Sequence, residues 1–137
     1  MALSKKEIAV RPFLQSIIQH LPSKDRLVVN ITPQDATIIA DDEYLAIAIG
    51  NLITNGLKYS FPDTPVTVSA HHSSNGFTFS VINEGVGMSD DEITQSGVIY
   101  FRADSSKDTK VIGIGLYLTK KIAAAHNGSL RLQSQNN

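Results

Sequence analysis

The chain has 137 residues, 42% apolar and 18% charged, with a formal net charge of −1, a pI near 6.4 and no cysteine. That length and balance suit one globular domain with its own core, and they argue against a binder that neutralises nucleic-acid phosphates along a basic face. Lack of cysteine excludes a disulfide framework and a thiolate metal site, and no apolar run reaches the ~20 residues of a membrane span.

Residues 1–10 read as a tail or linker remnant, and the domain as 11–137. Pro12 suits the first turn of a helix, where its missing N–H costs little. Phe13, Leu14, Ile17, Ile18 and Leu21 give a helix over 12–21 one apolar face, and Pro22 ends it. Residues 27–31 and 36–40 read as short strands around a turn containing Thr32, Pro33, Gln34 and Asp35. Asp41 or Asp42 caps a long helix running to about Lys58. Pro62, Asp63 and Pro65 mark a loop. Residues 66–72 and 77–82 form a hairpin that turns at Ser74, Asn75 and Gly76. Residues 83–112 are rich in Gly, Ser, Asp and Lys, and a loop that long usually serves as a lid or binding loop. Ile114, Leu118, Ile122 and Ala125 stripe a helix that stops at the capping pair Asn127 and Gly128. A last strand starts at 129–132.

Three segments carry chemistry. NLITNGLKYS (51–60) lies on the long helix. At about 100° per residue, Asn51, Asn55 and Lys58 fall within about 60° of one another, while Leu45, Ile49, Leu52, Ile53 and Gly56 group on another side. A solvent-facing stripe would account for one such pair, but asparagine is a poor helix former, and two in mid-helix call for a reason. An amide oxygen suits Mg²⁺, and an ammonium suits phosphate. NEGVG (83–87) follows a strand, and its two glycines let the backbone turn tightly against a ligand. VIGIGL (111–116) opens a helix whose free N–H groups and dipole favour phosphate. Each of the glycine segments is weak evidence alone.

In order, the segments resemble the ATP-binding catalytic domain of sensor histidine kinases, within the GHKL family (the Bergerat fold) that also holds gyrase, the Hsp90 chaperones and MutL. NLITNGLKYS resembles the N box. NEGVGMS resembles the first glycine box, usually Asp-x-Gly-x-Gly. YFRADSSK (100–107) resembles the segment after the F box, and GIGLYLTKKIAAAHNGSL the second glycine box with its helix. The resemblance covers about residues 11–133. It implies a two-layer α/β sandwich: a mixed, mostly antiparallel sheet carrying helices 12–21, 42–58 and 114–127 on one face, with a lid over about 88–112 that is mobile without nucleotide.

The same resemblance implies ATP and Mg²⁺ as ligands. Asn55 would hold Mg²⁺ and Asn51 would assist. The ATP-hydrolysing relatives carry a glutamate base at position 51, and an asparagine cannot accept that proton, which suits a γ-phosphoryl that waits for a protein acceptor. Lys58 would neutralise phosphate and Tyr59 lie along the adenine. Asn83 stands where the adenine-binding Asp is expected. Gly85 and Gly87 would floor the base. Arg102 would reach the γ-phosphate from the lid, and Gly113, Gly115 and Leu116 would wrap the phosphates at a helix start. The implied partners are a histidine-bearing dimerisation domain of the same full-length protein and a response regulator, in the cytoplasm, without nucleic-acid or direct membrane contact. Four features depart from the pattern: Asn83 for Asp, Val111 for the first glycine of the second box, Gly97 for an early F-box phenylalanine, and no room for the family's final strand. The alternative is a degenerate domain that binds nucleotide weakly or not at all and acts by docking. A gyrase-like clamp is opposed by Asn51. His20, His71, His72 and His126 read as structural or surface histidines, since no clustered metal spacing accompanies them.

Overall fold

A computed structural model describes residues 1–74, 76–85 and 109–131, and among these residues two small sheets and three helices build the domain. In chain order the elements are β1 (Lys6–Ala9), α1 (Val10–Ile18), a 3₁₀ turn (Lys24–Arg26), β2 (Leu27–Thr32), β3 (Thr37–Ala40), α2 (Asp42–Tyr59), β4 (Val66–Ser73), β5 (Gly76–Ile82) and α3 (Thr109–Ala125). One sheet pairs β1 with β3, antiparallel. The other has the order β2-β4-β5, with β2 parallel to β4 and β5 antiparallel to it. Two of the three pairings are therefore antiparallel, the mixed sheet and helix layers that were expected.

The N-terminal segment is not a tail. Lys6–Ala9 pairs residue for residue with β3, and Ile8 and Val10 are buried. Four residues with one inward apolar side chain give too short a period-2 signal to stand out in sequence. The strands either side of Pro33 are not neighbours: β2 joins β4 and β3 joins β1. Helix α1 stops at Ile18 rather than residue 21, and the Leu21 amide donates to the Ile18 carbonyl as the chain turns toward Pro22. Helix α3 starts at Thr109, five residues before the expected 114. The two glycines that suggested a pre-helical loop each cost only about 1 kcal/mol within a helix. No strand forms over Gly128–Arg131; the rest of the proposed last strand lies outside the described residues.

Local signals explain the boundaries that were anticipated. The Asp41 carboxylate caps α2 by accepting from the Tyr44 amide at 3.0 Å, satisfying a donor that has no partner within the helix. Asn127, at φ 62°, ends α3 in the left-handed region. The Gly128 amide then reaches back to the Ala123 carbonyl and the Asn127 amide to that of Ala124, a Schellman closure. The β4–β5 hairpin turns at Gly76, whose φ of 131° suits only glycine.

The core lies between α1, α2 and the three-stranded sheet. Val10, Leu14, Ile31, Ala36, Ile49, Ile53, Val68 and Ala70 form it, with Phe13, Phe77, Phe79 and Val81 packed around them. On α2, Ile49 and Ile53 face this core. Ala48 is buried as well, about 100° round the helix from Ile49, and α3 packs along α2. Thus α2 is held by the sheet on one side and by a helix on another. Among the described residues no helix is long and apolar enough to cross a membrane.

Candidate functional site

The asparagine stripe sits on the middle of α2, on the half of its surface turned away from Ile49 and Ile53. Asn51 and Asn55 are half-buried and Lys58 is exposed. The Nδ2 of Asn55 is buried and, among the described residues, has no hydrogen-bond partner. An orphaned amide costs about 1–3 kcal/mol in desolvation, and the α2 fold itself gives no reason to carry it. The Lys58 ammonium stands 5.4 Å from the centre of the Tyr59 ring, a cation–π contact at the end of the helix.

The segment after β5 is fastened to that same end. Ser60 bridges to Gly85, and the Phe61 amide donates to the Glu84 carbonyl at 2.7 Å. A Cβ at Gly85 would run into the Tyr59 carbonyl oxygen, far inside van der Waals contact, and would crowd the Asn83 Nδ2 at 3.3 Å. Only glycine allows this approach of backbone to backbone, a contact within the fold where the motif had suggested one with a ligand. Tyr59, at the end of α2, is thus brought against Gly85 and Asn83, while Lys58 precedes it and Asn55 lies one turn earlier on the helix. Asn83 is exposed there.

Gly113 and Gly115 lie inside α3, one and two turns from its start at Thr109, and not at a helix start. Leu116 is buried, on one face with Thr119 and Ile122, and belongs to the packing of α3. Gly87 and Arg102 lie outside the described residues, as do Gly97 and most of the expected lid. A groove of about 340 Å³ is lined by Leu14, Gln15, Ile18, Lys24 and Val29 between α1 and β2 and shares no residue with the motifs. It is an open furrow beside an edge strand, with Arg11, Gln15, Gln19 and Lys24 among its lining.

Sequence reasoning missed two fastenings. The first is Arg26, whose guanidinium donates to the carbonyls of Thr64 and Phe61, both at 3.0 Å, and to the Ser60 hydroxyl. Its targets lie more than thirty residues away, so no local spacing could reveal it. The second is His126. Its Nε2 accepts from the Asp41 amide at 3.1 Å and its Nδ1 faces the Ile122 carbonyl at 2.8 Å. That pair of contacts fixes the proton on Nδ1. The Asp41 carboxylate also accepts from the Ser4 amide at 2.8 Å. These backbone N–H groups, Tyr44 first, hold its pKa below the usual carboxylate value. The histidine is structural, as read from sequence.

Residues 40–137 match the family model of the histidine kinase-, DNA gyrase B- and HSP90-like ATPases. Among curated proteins, the chain is 32% identical over 126 residues to the sensor-like histidine kinase SenX3 of Mycolicibacterium smegmatis, covering 88% of this chain and 33% of that one. It is 27% identical over 143 residues to the adaptive-response sensory kinase SasA of Synechococcus elongatus, covering 98% and 36%. The chain spans about a third of the length of these relatives. Among solved structures, it superposes on the mycobacterial sensor histidine kinase MprB with a TM-score of 0.78 at 21% identity, covering 92% of this chain and 84% of that one. The catalytic domain of the histidine kinase ThkA gives a TM-score of 0.77 at 15% identity, covering 90% and 84%. At such identities the structural likeness speaks for the fold.

Proposed function

This chain belongs to the histidine kinase-, DNA gyrase B- and HSP90-like ATPase family, and we propose that it holds ATP with Mg²⁺ and presents the γ-phosphate to a histidine on a separate dimerisation domain. It is the ATP-binding catalytic domain of a sensor histidine kinase. The acceptor domain, a downstream response regulator and a cytoplasmic setting belong to the proposal.

The observation that carries the reading is the Asn55 amide, buried and unpartnered on the polar side of α2. Its oxygen is a hard donor of the kind Mg²⁺ takes, and a half-turn of the amide places that oxygen where the unpaired nitrogen stands. The residues present fit the ion. When bound, Mg²⁺ would neutralise triphosphate charge; the remaining work falls to the chain's own side chains. Lys58 meets phosphate as a point charge. Tyr59 offers its ring to the base, and Asn83 its amide to the adenine edge. Gly85, closed against the Tyr59 carbonyl, supports the base from below. Gly87 would extend that floor. Gly113 and Gly115, in the first two turns of α3, would leave room for the phosphates beside the helix, Leu116 serving the packing instead, and Arg102 would complete the charge around the γ-phosphate. Asn51 has no basic oxygen, so water at this position is not activated and the phosphoryl group is kept for its acceptor. Catalysis on this reading is positioning and charge neutralisation.

Isothermal titration of the chain with a non-hydrolysable ATP analogue, with Mg²⁺ and with EDTA, tests it. Binding that needs Mg²⁺ is expected. No binding under either condition would leave the docking-module reading in its place.

A further inference from the structure

We infer that Arg26 is a positioning residue for the nucleotide site, holding the end of α2 and the first glycine segment in their mutual register; this rests on the nucleotide-site reading above. Arg26 is the last residue of the 3₁₀ turn between α1 and β2, far in sequence from every motif. Its guanidinium spreads across one short stretch. Nε donates to the Thr64 carbonyl and Nη2 to the Phe61 carbonyl, both at 3.0 Å; Nη2 also donates to the Ser60 hydroxyl, and Nη1 reaches toward the Leu57 carbonyl at 3.5 Å. The Ser60 hydroxyl in turn donates to the Leu57 carbonyl at 3.0 Å. The last carbonyls of a helix lack partners within it, and a cation there also meets the negative end of the helix dipole. Arg26 serves both needs for α2.

What makes this more than a helix cap is the other side of the same stretch. Ser60 bridges to Gly85, and the Phe61 amide donates to the Glu84 carbonyl. Ser60 and Phe61 are therefore gripped from one side by Arg26 and from the other by the segment that carries Asn83 and Gly85. Lys58 and Tyr59 immediately precede the gripped pair. Without the fork, the end of α2 can shift while the rest of the helix stays anchored by Ile49 and Ile53. The base-facing groups would then lose their preorganised spacing, and binding would carry the cost of restoring it. A lysine keeps the charge but not the planar fork.

The test compares wild type, Arg26→Ala and Arg26→Lys by titration with a non-hydrolysable ATP analogue and Mg²⁺, and by amide hydrogen exchange. Arg26→Ala is expected to bind about tenfold more weakly, Arg26→Lys to recover only part of the loss, and millimolar methylguanidine to restore Arg26→Ala toward wild type. The Phe61 amide should lose protection while the amides of Ile53 and Val68 keep theirs, which separates local loosening from general instability. If Arg26→Ala fails to fold, Arg26→Lys carries the same comparison. Wild-type affinity in a variant whose Phe61 amide stays protected overturns the inference alone. A wild-type chain that binds no nucleotide overturns the functional reading, and the inference with it.

Discussion

The Nε2 of His126 accepts a hydrogen bond from the backbone amide of Asp41 at 3.1 Å, across 85 residues of chain. The residue before α2 is thereby tied to the residue after α3, and the two helices are locked end to end along their packed sides. Removing the ring leaves the Asp41 amide without its acceptor. His126→Ala should destabilise the domain by about 1–3 kcal/mol, read as a lower urea midpoint with the slope unchanged. Nucleotide affinity should not move, because the contact lies at the opposite end of α2 from Lys58 and Tyr59. An affinity loss at full stability would contradict this structural role.

Asp41 adds a pH dependence of known sign. Its carboxylate accepts from the Tyr44 and Ser4 amides, which hold its folded pKa below the ordinary value of about 3.9. A depressed folded pKa contributes stability that is fully present above the unfolded pKa and is lost as pH falls through the folded one. Asp41→Asn keeps an accepting oxygen but cannot ionise. Wild type should therefore exceed Asp41→Asn in stability at neutral pH, with the gap closing below about pH 4. Urea titrations at a series of pH values check this, and a gap that stays constant into acid would count against it.

Glycines on α2 separate packing from propensity. A Cβ at Gly50 meets nothing within 4 Å, whereas one at Gly56 would lie 2.9 Å from the Val81 Cγ1 and 3.1 Å from the Val66 Cγ1. Gly50→Ala should stabilise by about 1 kcal/mol through helix propensity alone. Gly56→Ala gains the same propensity but forces α2 off the β4–β5 surface, with a net loss of about 1–3 kcal/mol. Thermal unfolding of both variants should shift the midpoint in opposite directions. Two shifts of the same sign would show that the helix does not sit on the sheet as described.

How far the sequence could be read depended on whether a signal was local. The Asp41 cap, the length of α2, the Gly76 turn and the Asn127 closure each follow from a few adjacent residues, and each was anticipated. Strand partnership did not follow. Nothing in residues 27–32 distinguishes pairing with 66–71 from pairing with 37–40, since both offer alternating β-branched residues, and the choice is made by how α1 and α2 cover the sheets. For the same reason Lys6–Ala9 looked like a tail. On the site side, helical phase placed Asn51, Asn55 and Lys58 together, whereas the close approach of Gly85 to the Tyr59 backbone was not read from the motif, which pointed to a ligand instead. Arg26 was illegible, because its partners are carbonyls supplied by a loop that only folding brings near.

On the proposed reading, Asn83 would set base selectivity. It is exposed beside Gly85, where its oxygen can accept from the adenine amino group only as a neutral hydrogen bond. A carboxylate would make a charge-assisted one, a difference of about 1 kcal/mol or several-fold in affinity. Asparagine also carries an NH₂ that can turn to donate to the O6 of guanine. Wild type is expected to bind ATP weakly with reduced discrimination against GTP, and Asn83→Asp to tighten ATP and weaken GTP. Paired titrations of both nucleotides decide it; unchanged affinities would mean that Asn83 does not read the base.

Asn55 offers the clearest separation of stability from function. Its Nδ2 is buried without a hydrogen-bond partner among the described residues, so its burial carries a desolvation cost that none of them returns. Replacing the amide with a methyl removes that cost and leaves a small void on a half-buried face. The void costs little, because Asn55 is only half-buried and lies outside the Ile49 and Ile53 core. Asn55→Ala should accordingly be as stable as wild type or more stable by up to about 1 kcal/mol, with further gain from the better helix propensity of alanine. The same change removes the hard oxygen proposed for Mg²⁺, so Mg²⁺-dependent binding of the ATP analogue should disappear while any weak binding seen in EDTA persists. Unfolding midpoint and titration, measured on one preparation, give both answers. A variant that loses several kcal/mol of stability yet binds nucleotide normally would show that Asn55 is a packed core residue, and that the polar stripe of α2 serves the fold rather than a ligand.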